Sequence, residues 1–435
     1  MIFIILLSLI LLLFIHFFIF KVDWLSPTII VISTLLISVS FLAINANDWG
    51  IVLSSYTFFI IMVGIITISL GEMSARLIFK RQNISEQTMK VSKCKKVINP
   101  SNNATNYIIL YMIATLIWYF LTIRSVVLTS GLNNLTFIGA YRASDSGINS
   151  ILKLCLIINL SIAYYYLFAF IDNYINNRVK KKKYLIPVVI HLISSALSSG
   201  RMEILYTLIT IVTLSYIVYY QKHGWKLKFN FKIIKKMILA GALSLGIFFI
   251  LGYLTGKSNM HSFYYIISLY IGSPVAALDY FLTGFDYNLS NFGNETLIGV
   301  NNFLEMVGIE ISMANTRILP FVHLGNMPSR TNIYTSFRRV INDYNYFGMI
   351  IYQFLIGVSY SSIYQKIKLN RYKNKHLAIL IYVYLFRYLF FQFTEERILV
   401  NVFTVTTIIQ IIVFWVLLRY FTRYKEISNI REGVL

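Results

Sequence analysis

Long unbroken apolar runs are the feature that most constrains this chain. Ile2 to Phe20, Leu25 to Ile44 and Ile51 to Leu70 are almost free of charged side chains. Each supplies about 20 residues, the length that an α-helix needs to cross a hydrocarbon core about 30 Å thick. Of the 435 residues, 57% are hydrophobic and only 13% are charged, which is typical of membrane proteins. The sequence therefore predicts an all-α polytopic membrane protein.

Clusters of Lys and Arg predict how the helices are oriented, because short basic loops stay in the cytoplasm. The clusters are Arg76 to Lys96, Arg178 to Lys183, Lys222 to Lys236, Lys366 to Lys375 and the tail from Arg419. Two predicted spans separate each cluster from the next. Two crossings return the chain to the side on which it began, so all the clusters lie on the cytoplasmic side. About eleven spans are predicted: 2–20, 25–44, 51–70, 107–128, 150–171, 184–199, 203–220, 237–255, 347–365, 377–394 and 399–418.

This topology places the N-terminus outside and the C-terminus in the cytoplasm. The first run has no basic n-region and no small-residue cleavage site, so it is expected to remain as a helix. The predicted regions are 1–255 with the first eight spans, a large outer loop at 256–346, and 347–435 with the last three spans and a basic tail.

The net charge of +22 is explained by the same topology. The predicted cytoplasmic side carries 28 of the 39 basic residues and 6 of the 17 acidic ones, whereas the other 11 basic and 11 acidic residues cancel. The charge thus indicates sidedness. It excludes a nucleic-acid partner.

Two predicted outer loops, 129–149 and 256–346, are candidates for function because long loops in compact proteins are usually functional. The longer loop opens with HSFYYIISLYIGSPVAALDYFL at 261–282, an apolar stretch interrupted by Gly272, Pro274 and Asp279. This pattern favours a pair of interfacial or re-entrant helices. The alternative is a twelfth span.

Motifs for nucleotide or metal chemistry are missing from the sequence. It has no glycine-rich nucleotide loop, no His-x-x-His pair and no catalytic serine elbow, and the only cysteines are Cys94 and Cys155. No cofactor, metal site or disulfide is expected.

Basic residues outside the cytoplasmic clusters are mostly arginine. Nine of those eleven are arginine, although lysine dominates the inner loops. Arginine presents a planar fork of donors that binds phosphate oxygens bidentately, whereas lysine is a point charge. Arginines gathered near the outer leaflet suit the pyrophosphate of a lipid carrier.

Several of these arginines have both a structural and a functional interpretation. Arg201, which follows a stretch of small residues, either pairs with Glu203 or contacts an anion. Arg142 either pairs with Asp145 or binds substrate. Arg387 lies inside a span, where the alternatives are a substrate role, an outward-reaching side chain, or a buried pair with Glu395 or Glu396.

The long loop concentrates the remaining candidates, which are Arg317, His323, Arg330, Arg338, Arg339 and Asp343. If 335–346 is helical, Arg339 and Asp343 are four residues apart on one face and pair. Arg338 is then the freer anion ligand. His323 is the first candidate for a general base because its ordinary pKa suits proton abstraction near neutral pH. Its competitors are Asp343, Glu295, Glu305 and Glu310.

Two stretches resemble a known family. The segment TNIYTSFRRVINDYNYFGMIIYQFLIG at 331–357 resembles the passage from the large outer loop into a span in bacterial O-antigen and capsular polysaccharide polymerases, the Wzy-type oligosaccharide repeat unit polymerases. SSGR at 198–201 is similar to their SGSR-like signature. The predicted helix count and the large late outer loop also fit.

The resemblance implies a metal-independent, GT-C-like glycosyltransferase of the bacterial inner membrane with its active site facing the periplasm. It would transfer the growing glycan from undecaprenyl pyrophosphate to the non-reducing end of a new lipid-linked repeat unit. Arg201, Arg330 and Arg338, with Arg339 beside them, would bind the donor pyrophosphate, and Arg142 and Arg317 the second lipid or the sugar chain. His323 or Asp343 would receive the acceptor proton. Membrane lipid is a further partner, and a chain-length regulator is left open.

Two alternatives remain. An O-antigen ligase shares the donor but uses a lipid A core acceptor. A flippase for lipid-linked repeat units performs no bond chemistry and should carry charges along a central cavity, whereas here the predicted spans are nearly uncharged.

Overall fold

The computed structural model describes residues 1–20, 23–85, 96–129, 148–197, 201–225, 246, 262–309 and 318–426. Thirteen α-helices lie in these ranges: α1 (Ile2–Phe20), α2 (Pro27–Trp49), α3 (Ser55–Ser85), α4 (Asn102–Thr129), α5 (Ser150–Asn177), α6 (Leu185–Leu197), α7 (Arg201–Lys222), α8 (Phe263–Thr283), α9 (Ile298–Met306), α10 (Ser336–Lys368), α11 (Lys375–Leu389), α12 (Ile398–Val402) and α13 (Val405–Val416). A π-helical turn, Leu417–Phe421, follows α13. Two short 3-10 helices, Lys182–Tyr184 and Leu289–Asn291, and the strands β1 (Lys96–Pro100) and β2 (Thr422–Glu426) complete the elements.

Eight of these helices are long and apolar enough to cross a membrane, namely α1 to α5, α7, α8 and α10. Seven coincide with predicted spans, so the expectation of an all-α polytopic membrane protein is met in the described part of the chain. Three predicted spans are shorter or broken: 184–199 corresponds to the 13-residue helix α6, α11 ends at Leu389, and 399–418 is divided between α12, α13 and the π-helical turn. The predicted span 237–255 lies outside the described residues except for Gly246.

The prediction of a pair of helices at 261–282 is wrong, because the structure has the single helix α8 there. Gly272 does not break it. Instead, a Cβ at Gly272 would lie 3.0 Å from the backbone nitrogen of Leu42, so this glycine lets α8 lie closely against α2. Ser38 of α2 also donates a hydrogen bond of 2.6 Å to the carbonyl oxygen of Ile271. Pro274 stands inside the helix, as prolines do in apolar helices whose freed carbonyls find other donors.

The chain divides into two compact units. The first contains Met1–Gln87, His261–Tyr372 and Leu385–Thr407. Its most extensive helix contact joins α3 and α10, where three glycines, Gly64, Gly71 and Gly357, allow close approach. The second unit contains Thr88–Met260, Lys373–Tyr384 and Ile408–Leu435.

The second unit holds a two-stranded antiparallel ribbon that the helical pattern did not predict. β1 pairs with β2, with Lys96 opposite Glu426 and Pro100 opposite Thr422. Two polar residues of α5 bind the outer edge of β1: Asp172 accepts from the Ile98 nitrogen at 2.9 Å, and Asn173 donates to the Ile98 oxygen at 2.7 Å. The helix thus satisfies the backbone groups that the ribbon leaves open.

Candidate functional site

The two adjacent arginines of the long loop lie in the first turn of α10, and both are buried. The Arg338 guanidinium lies 5.0 Å from the ring centre of Phe281 and 5.2 Å from that of Tyr334. It is ion-paired with Glu295 and only 5% exposed. Arg338 is thus paired with a carboxylate 43 residues away in the chain, whereas the helix spacing predicted that it has no partner of its own.

Arg339 and Asp343 do not form the expected pair. Arg339 is 3.1 Å from Glu395 and donates to the carbonyl oxygen of Glu295 at 3.0 Å. Asp343 accepts from the backbone nitrogen of Thr296 at 2.8 Å and from its hydroxyl at 2.7 Å. The Asp343 side chain is 0% exposed. An acceptor hydroxyl does not reach this carboxylate in this conformation, and the geometry disfavours Asp343 as a general base.

Helix α10 doubles back, which explains why its arginines are buried. Its backbone leaves the helical region at Asn345, with φ 61° and ψ −177°. Phe337 contacts Gly64 of α3, and Gly357 contacts α3 at Ile68. A straight helix would carry residues 337 and 357 about 30 Å apart, yet Gly64 and Ile68 are separated by only about 6 Å of helix. The first turns of α10 therefore run back alongside the later ones.

A cavity of about 450 Å³ lies at the start of α10. Its walls include Arg338 and three aromatic side chains, Tyr280, Phe281 and Tyr334. Tyr334 is fixed by a hydrogen bond of 3.0 Å to the carbonyl oxygen of Pro320. Burial raises the pKa of the Glu295 carboxyl, although Arg338 opposes this. A charged group flanked by aromatic walls can hold an anion that carries a ring-shaped or apolar body.

A second cavity of about 280 Å³ adjoins the first, since Tyr280 and Thr283 line both. The residues that line it include His323 and Asp279. The loop carrying His323 is anchored to the end of α2, where Asn326 donates its backbone N–H to the Trp49 oxygen at 2.8 Å. That approach requires glycine at position 325, since a Cβ there would lie 2.0 Å from the Trp49 oxygen.

Asp279 is a site residue that sequence reasoning missed. Its Oδ1 atom accepts from the Ser54 nitrogen at 2.8 Å and from the hydroxyls of Ser54 and Thr57, each at 2.6 Å. It thus fixes the first turn of α3 while lining the second cavity. The sequence signal for it is a single aspartate within an apolar stretch.

A buried pair with Glu395 or Glu396 was one of the alternatives for Arg387, and in the structure both carboxylates bind other groups. Glu395 pairs with Arg339 and, at 2.5 Å, with Arg397. Glu396 is fully buried and accepts from the nitrogens of the first turn of α12, including Ile398 at 2.8 Å. Burial raises the pKa of this carboxyl. Arg387 instead lies against Tyr388, 4.8 Å from its ring centre.

The other predicted site residues are only partly placed. His323 and Arg330 are exposed and flank the bridge between Val322 and Thr331, each one residue from it on the loop side. Arg142 and Arg317 lie outside the described residues. Arg201 begins α7, but its side chain also lies outside the described part. Among the described residues, no three His, Cys, Asp or Glu side chains come together as a metal site would require.

Comparisons of this chain with models of protein families, with curated proteins and with solved structures found no match.

Proposed function

We propose that this chain is a membrane glycosyltransferase that polymerises lipid-linked oligosaccharide repeat units. It transfers the growing glycan from undecaprenyl pyrophosphate to the non-reducing end of a new repeat unit carried on the same lipid. The observation that carries the proposal is the cavity of about 450 Å³ in which Arg338 lies between Phe281 and Tyr334, within a polytopic membrane protein. The enzyme needs no metal in this proposal.

The first cavity suits the donor because its chemistry matches both parts of a glycosyl pyrophosphate. The guanidinium stabilises negative charge on the departing pyrophosphate oxygen. The aromatic walls accept the apolar faces of a sugar ring. Glu295 neutralises Arg338 while the cavity is empty, and the raised pKa of its carboxyl favours protonation when a phosphate competes for the guanidinium.

The proposed location is the bacterial inner membrane, with the cavities facing the periplasm. A cluster of ion pairs at the opposite ends of α3 and α10 supports this orientation. Asp23 is 2.7 Å from Lys368 and 3.5 Å from Arg76, so it joins three segments that the charge pattern assigns to the cytoplasm. Burial alone would raise the pKa of Asp23, but Lys368 and Arg76 together hold it below its ordinary value. The cavities lie at the other end of α2, where Gly50 to Val52 line one of them, and at the last turns of α8.

The donor site is tested by a substitution that keeps the positive charge at position 338 but removes the planar guanidinium group. We expect Arg338→Lys to lower the rate of chain elongation about 100-fold, a typical cost of losing one donor that stabilises developing charge. The measurement uses purified protein and undecaprenyl-pyrophosphate-linked repeat units, with polymer length read on a gel. Arg419→Lys, which changes an exposed arginine near the C-terminus, is the matched control. Retention of full-length polymer by Arg338→Lys would contradict bidentate pyrophosphate binding.

A deletion separates the proposed polymerase from its alternatives. Cells without a polymerase are expected to carry lipid A core capped by a single repeat unit. Core with no repeat unit would indicate a ligase or a flippase instead.

A further inference from the structure

A cavity of about 280 Å³ lies beside the donor cavity. Its volume is near the lower end of ligand sites, which run from roughly 300 to 1,000 Å³. It therefore fits a single sugar ring better than a chain. Asp279 and His323 are among the residues that line it, and the side chains of both can accept a hydrogen bond from a hydroxyl.

Asp279 is held rigidly and keeps one oxygen available. All three hydrogen bonds that it accepts go to Oδ1, from Ser54 and Thr57. Within the described residues, Oδ2 accepts none, although a carboxylate has lone pairs on both atoms. Because the helix end fixes Oδ1, the direction of Oδ2 is fixed as well. A carboxylate with one anchored and one open oxygen is a preorganised proton acceptor.

We propose that this cavity binds the terminal sugar of the incoming lipid-linked repeat unit and that Asp279 is the general base for its attacking hydroxyl. His323, on the facing loop, binds a neighbouring hydroxyl of the same sugar. This inference rests on the proposed polymerase function and adds to it the acceptor site and the group that takes the proton.

The step balances with groups already named. The acceptor hydroxyl oxygen forms a bond to the anomeric carbon of the donor sugar. The bond between that carbon and the pyrophosphate oxygen breaks, and its electron pair stays on the pyrophosphate beside Arg338. The hydroxyl proton passes to Oδ2 of Asp279 and then to water. The shared wall of Tyr280 and Thr283 brings the two sugars next to each other.

The experiment is Asp279→Asn in the full chain, because an amide oxygen still accepts from Ser54 and Thr57 while the base is lost. We expect elongation to fall about 100-fold or more, the usual scale for a general base. Binding of undecaprenyl-pyrophosphate-linked repeat unit as donor should change less than about threefold, since donor contacts lie in the other cavity. Asp286→Asn changes an exposed aspartate that follows α8 and should elongate as the wild type does.

A helix-anchoring role for Asp279 is separated by a second variant. Ser54→Ala with Thr57→Val removes the anchoring hydroxyls but leaves the carboxylate, so it is expected to lower the melting temperature while retaining elongation within about tenfold. If this variant and Asp279→Asn lose elongation equally, Asp279 is structural and the inference fails.

The two proposals fail in different ways. A wild-type protein that leaves the repeat units unextended overturns the polymerase and the acceptor site together. A wild-type protein that extends them, with an Asp279→Asn variant that does so equally well, overturns the acceptor site alone.

Discussion

The buried arginines show what single residues can reveal before a structure is known. Arginine rather than lysine at positions 338 and 339 predicts bidentate contacts with pyrophosphate, whereas the partners within the folded chain are carboxylates. Which carboxylates they contact could not be predicted, because Glu295 and Glu395 are 43 and 56 residues away. Sequence spacing predicts only neighbours within one helix, such as the pair of Arg339 with Asp343 that did not form.

The burial of Glu295 determines how the stability of the protein depends on pH. Burial raises the pKa of this carboxyl above its ordinary value of 4.5, so the folded state holds the proton more tightly than the unfolded state. The contribution of Glu295 to stability is then complete below about pH 4.5 and falls as the pH rises towards the folded pKa. We expect the melting temperature of the wild type, relative to Glu295→Gln, to decrease across that window. Thermal unfolding in detergent from pH 4 to 7 measures it.

The matched variant for this measurement is Glu305→Gln, which makes the same substitution at an exposed glutamate. The change in melting temperature with pH, relative to the wild type, should be larger for Glu295→Gln than for Glu305→Gln. A wild-type melting temperature that rises relative to Glu295→Gln over the same window would show that the pKa of the buried Glu295 carboxyl is not raised.

At the scale of helices, hydropathy predicted most of the spans but not a reversal of chain direction within a helix. A run of about 20 apolar residues predicts a crossing because the membrane sets its length. The reversal of α10 at Asn345 leaves no such mark, since both arms remain helical. The ribbon of β1 and β2 was also out of reach, because its strands are far apart in the chain and their pairing depends on Asp172 and Asn173 of another element.

The contact between α3 and α10 makes a second quantitative prediction. A Cβ at Gly357 would lie 2.1 Å from the carbonyl oxygen of Ile68, a backbone atom that cannot yield without moving α3. We expect Gly357→Ala to destabilise the fold by about 1–3 kcal/mol, the usual cost of overpacking. Thermal unfolding in detergent measures it. Gly284→Ala is the control, because nothing lies within 4 Å of a Cβ there and its φ of −113° suits alanine. Equal melting temperatures for the two variants would mean that the helices are not in close contact.

For the molecule as a whole, charge asymmetry was the most informative property of the sequence. It predicted a single orientation for every basic cluster, and the ion pairs of Asp23 with Arg76 and Lys368 bring two of those clusters to the same ends of the helices. The cavities could not be predicted in this way. They are formed by side chains from α8, α10 and the loop at 318–335, which only the folded chain brings together.

Sidedness is therefore the prediction on which the proposed chemistry depends most. In a chain whose Cys94 and Cys155 are replaced, a new cysteine at exposed Ser290 should react with a membrane-impermeant maleimide added to spheroplasts, because 290 follows the cavity-forming end of α8. A cysteine at exposed Lys373, in the loop before α11, should react only after the membrane is permeabilised. The positive-inside pattern gives the reason for the difference. If Ser290→Cys is protected and Lys373→Cys is labelled, the cavities face the cytoplasm, where lipid-linked repeat units have not yet been translocated, and polymerisation at this site is excluded.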